Sequence, residues 1–230
     1  MNKKISKFRL LLKELIDLLF MPILYFPGII GNKFRYIYWK ARLNSLGKNS
    51  IIDVGVQIIN PKWISIGENT HIDKFSILAA GPLREGMRVI CNKTNDNFTG
   101  EKGQLIIGDN VYIAPNALIN AHGGVIINDN TSVSSGVKIF SVSNHYRNLV
   151  NPKDSTLYTF SHQVSDTQQC IIIGSVVMKK NSGVGFNSVV LPGTTIGKRS
   201  WIGILSYVYN DIPDNVIASG APAKIIKKRT

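Results

Sequence analysis

The chain has 230 residues, 44% of them hydrophobic, which is enough to bury a core and excludes global disorder. Its net charge of +13 is uneven: residues 1–48 hold ten bases and two acids, residues 49–197 eleven and ten, and residues 198–230 six and two. A nearly neutral body with basic ends argues against a nucleic-acid groove along the fold and suits contact with an anionic surface at one end and a small polyanion at the other.

Residues 1–48 form a first, basic amphipathic unit. Ile5, Phe8, Leu12, Leu15, Ile16 and Leu19 recur at helical spacing over residues 5–20, and the basic-aromatic run from Lys33 to Lys40 predicts a second helix. Lys3 and Lys4 resemble the positive region of a secretory signal, but Lys13, Glu14 and Asp17 interrupt the apolar run and no small-residue cleavage site comes after it. Residues 18–30 are apolar for only 13 positions and contain Pro22 and Pro27, too short to span a bilayer. Two compatible readings stay open. The segment is a helical cap over the open end of the adjoining unit, or residues 1–45 lie on a membrane surface with lysines and arginines at anionic headgroups and Tyr36, Tyr38 and Trp39 at the interface. Cys91 and Cys170 give no disulfide framework, so a cytoplasmic location is expected, peripheral at the inner face of the membrane if the first unit binds there.

From residue 49 to 230 the texture changes to Ile, Val, Gly, Asn and Ser with a period of six. Met178, Val184, Val190, Ile196, Ile202 and Val208 stand six apart, with Ser182, Ser188, Thr194, Ser200 and Ser206 four residues after the first five. Ile107, Ile113, Ile119 and Val125 form a second array and Ile127, Val133 and Ile139 a third; a weaker one has Val54, Ile66, Ile72 and Leu78, with Asn60 in the frame. Six residues make a short strand and a turn, with one aliphatic inward per strand and Gly or Asn at the corners. Such a chain winds into a prism whose faces are parallel sheets and whose coils must stack about 4.8 Å apart to bury their aliphatics. Two stretches break the pattern, residues 80–104 and 146–170, and long insertions in a solenoid are usually functional or disordered.

The run from Val184 to Gly197, VGFNSVVLPGTTIG, with Asp211-Ile212-Pro213 and Gly220-Ala221-Pro222-Ala223-Lys224, resembles the hexapeptide-repeat acyltransferases, in particular the branch of maltose, galactoside and polysaccharide O-acetyltransferases. The resemblance covers roughly residues 50–228. It implies an all-β solenoid, a left-handed parallel β-helix; the usual rule for parallel crossovers would give the right hand. It implies a homotrimer, with acetyl-CoA lying in the groove between subunits. It places the catalytic histidine of the sugar-modifying members in the run Ser143-Asn144-His145. Coenzyme contacts carry over to Phe186, Ile204, Tyr209, Asn210, Lys224 and Lys227. Three departures stand out: Phe186 and Ile204 replace small residues, and Tyr209-Asn210 replaces a Thr-Lys pair, which removes one phosphate partner that Lys227, Lys228 and Arg229 can supply. The basic tail also reads as a plain solvated end.

His145 falls six residues after Ile139, where the ladder expects an aliphatic, and reads either as a general base or as a histidine that closes the coil. Asn120, His122 and Asn144 are candidate acceptor contacts, although His122 is equally a structural histidine; His71 and His162 read as solvated loop or corner residues. The four histidines lack the spacing of a convergent metal site, so no metal is expected. The lead function is acetyl transfer from acetyl-CoA to a sugar hydroxyl of a cell-surface polysaccharide or its precursor. Alternatives are N-acetylation of an amino-sugar nucleotide, serine O-acetylation in the same fold, and a non-catalytic β-helix scaffold.

Overall fold

The computed structural model describes residues 15, 18–83, 89–151, 153–161 and 163–229. Most of the helix expected over residues 5–20, and His162, lie outside them.

The short strands predicted by the period of six stack into three parallel sheets, the faces of a solenoid. The first face runs through Ser45–Leu46, Ile64–Ile66, Leu105–Ile107, Val125–Ile127, Val176–Met178 and Thr195–Ile196. Pairing is in register from coil to coil. On the second face Ile52, Ile72, Ile113, Val133, Val184, Ile202 and Ala218 stand above one another; on the third, Ile58, Leu78, Ile119, Ile139, Val190 and Val208 do. All but Ile58 are at most 1% exposed, and each such aliphatic contributes roughly 1.5–3 kcal/mol by leaving water. The fold is the left-handed parallel β-helix that the motifs imply.

The frame differs from the sequence reading in the first coil. In the first coil the inward seats are Leu46, Ile52 and Ile58, not Val54 and Asn60. Asn60 adopts a left-handed φ of 56° and Pro61–Trp63 makes a 3-10 turn, so eight residues, not six, separate Ile58 from Ile66. The same excess separates Ile119 from Ile127 across His122-Gly123-Gly124; it is the two-residue slip between the second and third arrays, and it puts Ile127 in register with Ile107 and Met178. The polar residue of each hexad has a use. Ser50, Thr70, Ser188 and Ser200 each donate a hydroxyl hydrogen to a carbonyl of the next coil and accept a backbone N–H, a bridge that satisfies corner groups strands cannot pair.

The first coil is closed by α1, Gly28–Arg42, longer than the run that predicted it. Trp39 and Leu43 cover the open end of the core together with Leu46. Arg35, 1% exposed, clamps the helix down: its guanidinium donates to the carbonyls of Ile52 (2.8 Å) and Phe26 (2.6 Å) and to Asn32 Oδ1, and pairs with Asp53 at 3.4 Å. Burial pulls its pKa down and Asp53 pulls it back up. Gly31 is required beside it, since a Cβ there would sit 1.8 Å from the Phe26 carbonyl oxygen. At the far end, Lys224–Lys228 folds back antiparallel on Val216–Ser219 and ends the sheet with a basic edge.

Among the described residues, nine of the twelve non-glycine residues at positive φ are asparagine, the non-glycine residue that tolerates the left-handed corner best. One corner column reads Gly55, Phe75, Asn116, Gly136, Asn187 and Leu205, with φ from 53° to 71°. Leu205 is 67% exposed there, so its side chain returns little burial for the strain. Leu205→Asn is therefore expected to raise stability by about 1 kcal/mol, read as a higher urea midpoint with an unchanged slope.

Candidate active site

Both insertions leave the solenoid at one edge, the corner between the third and first faces. The first departs after Ala79 and the second after Phe140, residues that occupy the same register on either side of Asn120. The departing segments then meet: Val142–Asn144 pairs antiparallel with Ile171–Gly174, which pairs in parallel with Val89–Lys93 of the first insertion. The rest of the first insertion covers the first face. Asn95 bonds the Ser175 carbonyl and Thr195 Oγ1, and a Cβ at Gly124 would lie 2.4 Å from the Phe98 ring. Val177 and Thr195, which point outward from the solenoid, are buried by this cover.

His145 sits at this edge but not in the ladder. The chain leaves the solenoid at Ser141, four residues earlier, and the seat expected for the imidazole is filled by Met178. Antiparallel pairing of 142–144 carries His145 outward, where it is half-buried and its N–H bonds the Cys170 carbonyl at 2.8 Å. Its Nδ1 lies 2.8 Å from the Arg147 carbonyl, which can only accept, so Nδ1 carries the hydrogen and Nε2 of the neutral ring keeps its lone pair. The Arg147 N–H lies farther from the same nitrogen, 3.3 Å, and does not alter that assignment. The ring stacks on Tyr146 at 4.6 Å, with the Arg147 guanidinium over the Tyr146 face, and Cys170 Sγ shares the Arg147 carbonyl.

The acceptor candidates gather around the same corner. Asn120 and His122 form the turn one coil below: Asn120 Oδ1 accepts the His122 N–H, and His122 Nδ1 lies 2.8 Å from the Gly81 carbonyl, which gives it the same tautomer as His145. Buried Ser141 ties the two coils by donating to the Asn120 carbonyl (2.7 Å) and accepting from Gly123 N–H (2.8 Å). Asn144, half-buried, reaches the Phe160 carbonyl. Five of the six coenzyme candidates flank the outer side of the third face at its last coils, and Lys227 lies on the second-face sheet. Phe186 and Ile204 stack at one edge, 55% and 58% exposed, and Lys224 lies beyond them; exposed Tyr209 and Asn210 occupy the other edge. Lys227 stands farther along the terminal strand, opposite Ile217.

The sequence reading missed one polar group. His71, read as a solvated corner, stands on the second face between Asp53 and Asp73, its Nε2 3.9 Å from Asp53 Oδ2. One ligand atom from each of the three lies within 4.8 Å of the others. Each carboxylate also accepts the next backbone N–H, and Tyr112 O–H donates to Asp73 at 2.8 Å, which raises the phenol's pKa. Both aspartates directly follow a ladder seat, Ile52 and Ile72, and that repeat of position was the available signal.

No family model matches the chain. It is 29% identical over 188 residues to the dTDP-4-amino-4,6-dideoxy-D-glucose acyltransferase of Escherichia coli, covering 81% of this chain and 82% of that one. It is 35% identical to a galactoside O-acetyltransferase of Lactococcus lactis, over 53% of this chain and 62% of the relative. Among solved structures, a mutant of the Bacillus cereus N-acyltransferase AntD, in complex with dTDP and coenzyme A, superposes with a TM-score of 0.68 at 24% identity, over 90% and 92% of the two chains.

Asp154 holds the second insertion in shape. It accepts from Thr156 N–H (3.0 Å), Asn148 Nδ2 (2.9 Å) and Tyr158 O–H (2.8 Å), and the Thr156 side chain first, then these bonds, hold its pKa far below the ordinary carboxylate range. A lowered folded pKa means that its contribution is complete above about pH 4 and is lost as pH falls through the folded value. Asp154→Asn is expected to make residues 147–158 faster to cleave by protease at pH 7, with the melting of the solenoid unchanged. Wild-type protein should lose that protection, read by hydrogen exchange, only on acidification below about pH 4.

Proposed function

The chain's homologues are hexapeptide-repeat acetyl- and acyltransferases, and from that premise we propose that it moves an acetyl group from acetyl-CoA to a sugar hydroxyl of a cell-surface polysaccharide or its precursor. The observation that carries this reading is the 2.8 Å contact of His145 Nδ1 with the Arg147 carbonyl, which leaves Nε2 as the base beside two insertions that can wall an acceptor. Nε2 takes the hydroxyl proton as the oxygen attacks the thioester carbonyl. The tetrahedral oxyanion, met by a backbone N–H or a polar side chain near residues 143–145, collapses to the ester, and the departing thiolate takes the proton back from the imidazolium. No serine or cysteine has a base beside it in sequence, so transfer is direct, without an acyl-enzyme. Asn120, His122 and Asn144 contact the acceptor. Phe186, Ile204, Tyr209 and Asn210 line the coenzyme groove, and Lys224 and Lys227 meet its phosphates. The groove is shared between subunits of a homotrimer, and residues 1–45 rest on the inner face of the membrane.

A second reading is acyl transfer to the amine of a sugar nucleotide. It is favoured by the reach of the match to the amino-sugar acyltransferase, 81% of this chain against 53% for the galactoside enzyme. Release of free thiol from acetyl-CoA over a panel of neutral sugars and amino-sugar nucleotides separates the two.

His145→Ala should lower turnover by about two to four orders of magnitude with coenzyme A affinity unchanged by calorimetry; a variant keeping more than about a tenth of turnover would move the base to His122. Light scattering should give three times the chain mass, and a monomer at micromolar concentration would remove the shared groove.

A further inference from the structure

Helix α1 has the polarity of a surface helix reversed. Its buried stripe is Gly31, Arg35 and Trp39, and its outward stripe is Ile30, Phe34 and Ile37, which are 59%, 49% and 66% exposed. Leu18, Leu19 and Met21 of the preceding helical residues, and Phe26 and Ile29 at the joint, are exposed as well. Exposed aliphatic and aromatic side chains gathered on one end of a fold mark an interaction surface.

The chain that forms this end is basic, although Arg35 is buried and paired with Asp53. Residues 18–52 contain Lys33, Arg35, Lys40, Arg42 and Lys48 and no carboxylate. No helix among the described residues is long and apolar enough to cross a membrane. Beside the apolar stripe, between α1 and the first coil, lies an open cavity of about 520 Å³. Its lining includes the exposed basic residues Lys33 and Lys48, with Tyr36 and Asn32 beside them and Ile29 and Ile51 among the rest. Lys33 comes four residues after Ile29 on the helix, so the cavity opens at the margin of the apolar stripe.

We propose that this end of the solenoid docks on an anionic bilayer, with Ile30, Phe34 and Ile37 entering the interface and the Lys33–Lys48 cavity seating the phosphate of an anionic phospholipid. The proposal rests on the reading that residues 1–45 touch the membrane and adds the face, the cavity and the headgroup chemistry. A phosphodiester between two lysines receives charge-assisted hydrogen bonds, while the glyceryl and acyl portions run along the apolar wall onto the helix face. Buried Arg35 holds the helix in the rotation that points these side chains outward.

Co-sedimentation of the full chain with phosphatidylcholine vesicles, and with vesicles roughly a third phosphatidylglycerol, tests it. Wild-type protein is expected to bind only the anionic vesicles. The pair Lys33→Ala and Lys48→Ala should weaken that binding roughly thirtyfold, two basic residues at about a factor of five each, and the pair Phe34→Asp and Ile37→Asp should abolish it. Soluble dihexanoyl phosphatidylglycerol should bind wild type and not the lysine pair in calorimetry; inorganic phosphate binding as tightly as that lipid would overturn the lipid assignment. Equal binding to neutral vesicles, or lysine and apolar variants that sediment like wild type, would overturn the proposal. All four positions are at the surface, so unchanged melting is the folding control. Thiol release with a soluble acceptor is measured on the same variants: wild-type rates without vesicle binding separate loss of docking from loss of the catalytic reading.

Discussion

The in-register stack of one aliphatic per strand governs the rest of the structure. A single hexad buries nothing, and only when Ile119 lies on Leu78 and beneath Ile139 does each side chain leave water. That requirement fixes the coil-to-coil register, and the register fixes what stands at each corner. The backbone cost of three sharp corners per coil is absorbed by asparagine and glycine at positive φ and by hydroxyls that bridge successive coils.

The same constraint explains why the insertions share an edge. Two extra residues are already accommodated at the corner between the third and first faces, after Ile58 and after Ile119, so long excursions there leave the ladder above undisturbed. Departing from stacked positions, the two segments meet and pair, and their small sheet builds a wall beside His145 and the Asn120–His122 turn. The candidate site residues thus stand on irregular chain held by a regular scaffold, the usual division of labour between loops and core.

The N-terminal end solves a different problem. A solenoid must be capped, and α1 does so with Trp39, Leu43 and an arginine whose donors reach two backbone carbonyls and one carboxylate. Using an arginine on the inner side leaves isoleucine and phenylalanine exposed on the side of the helix opposite the cap. The two readings left open by the sequence are therefore compatible in geometry, the first visible in the packing of the cap.

Periodicity alone determined the fold class, most ladder seats and the two interruptions, because a spacing of six in aliphatics and small polar residues has one economical folded solution. The motif from Val184 to Gly197 added the resemblance to the hexapeptide-repeat acyltransferases, and the corner that bears His145 was legible from its place after a ladder array. What counting by sixes could not supply was the two-residue excess at one corner, which moved the frame of the first coil from Val54 to Ile52 and Ile58. Nor could it show that the chain departs at Ser141, so that His145 stands outside the ladder with its Nδ1 on a carbonyl two residues ahead. The pairing of His71 with Asp53 and Asp73, and the burial of Arg35 with isoleucine facing out, were likewise decided only in three dimensions. The physical reason is common to all of them: the period reports which side chains must be buried, whereas the exits, tautomers and exposed faces depend on which backbone groups the stacked coils leave unpaired.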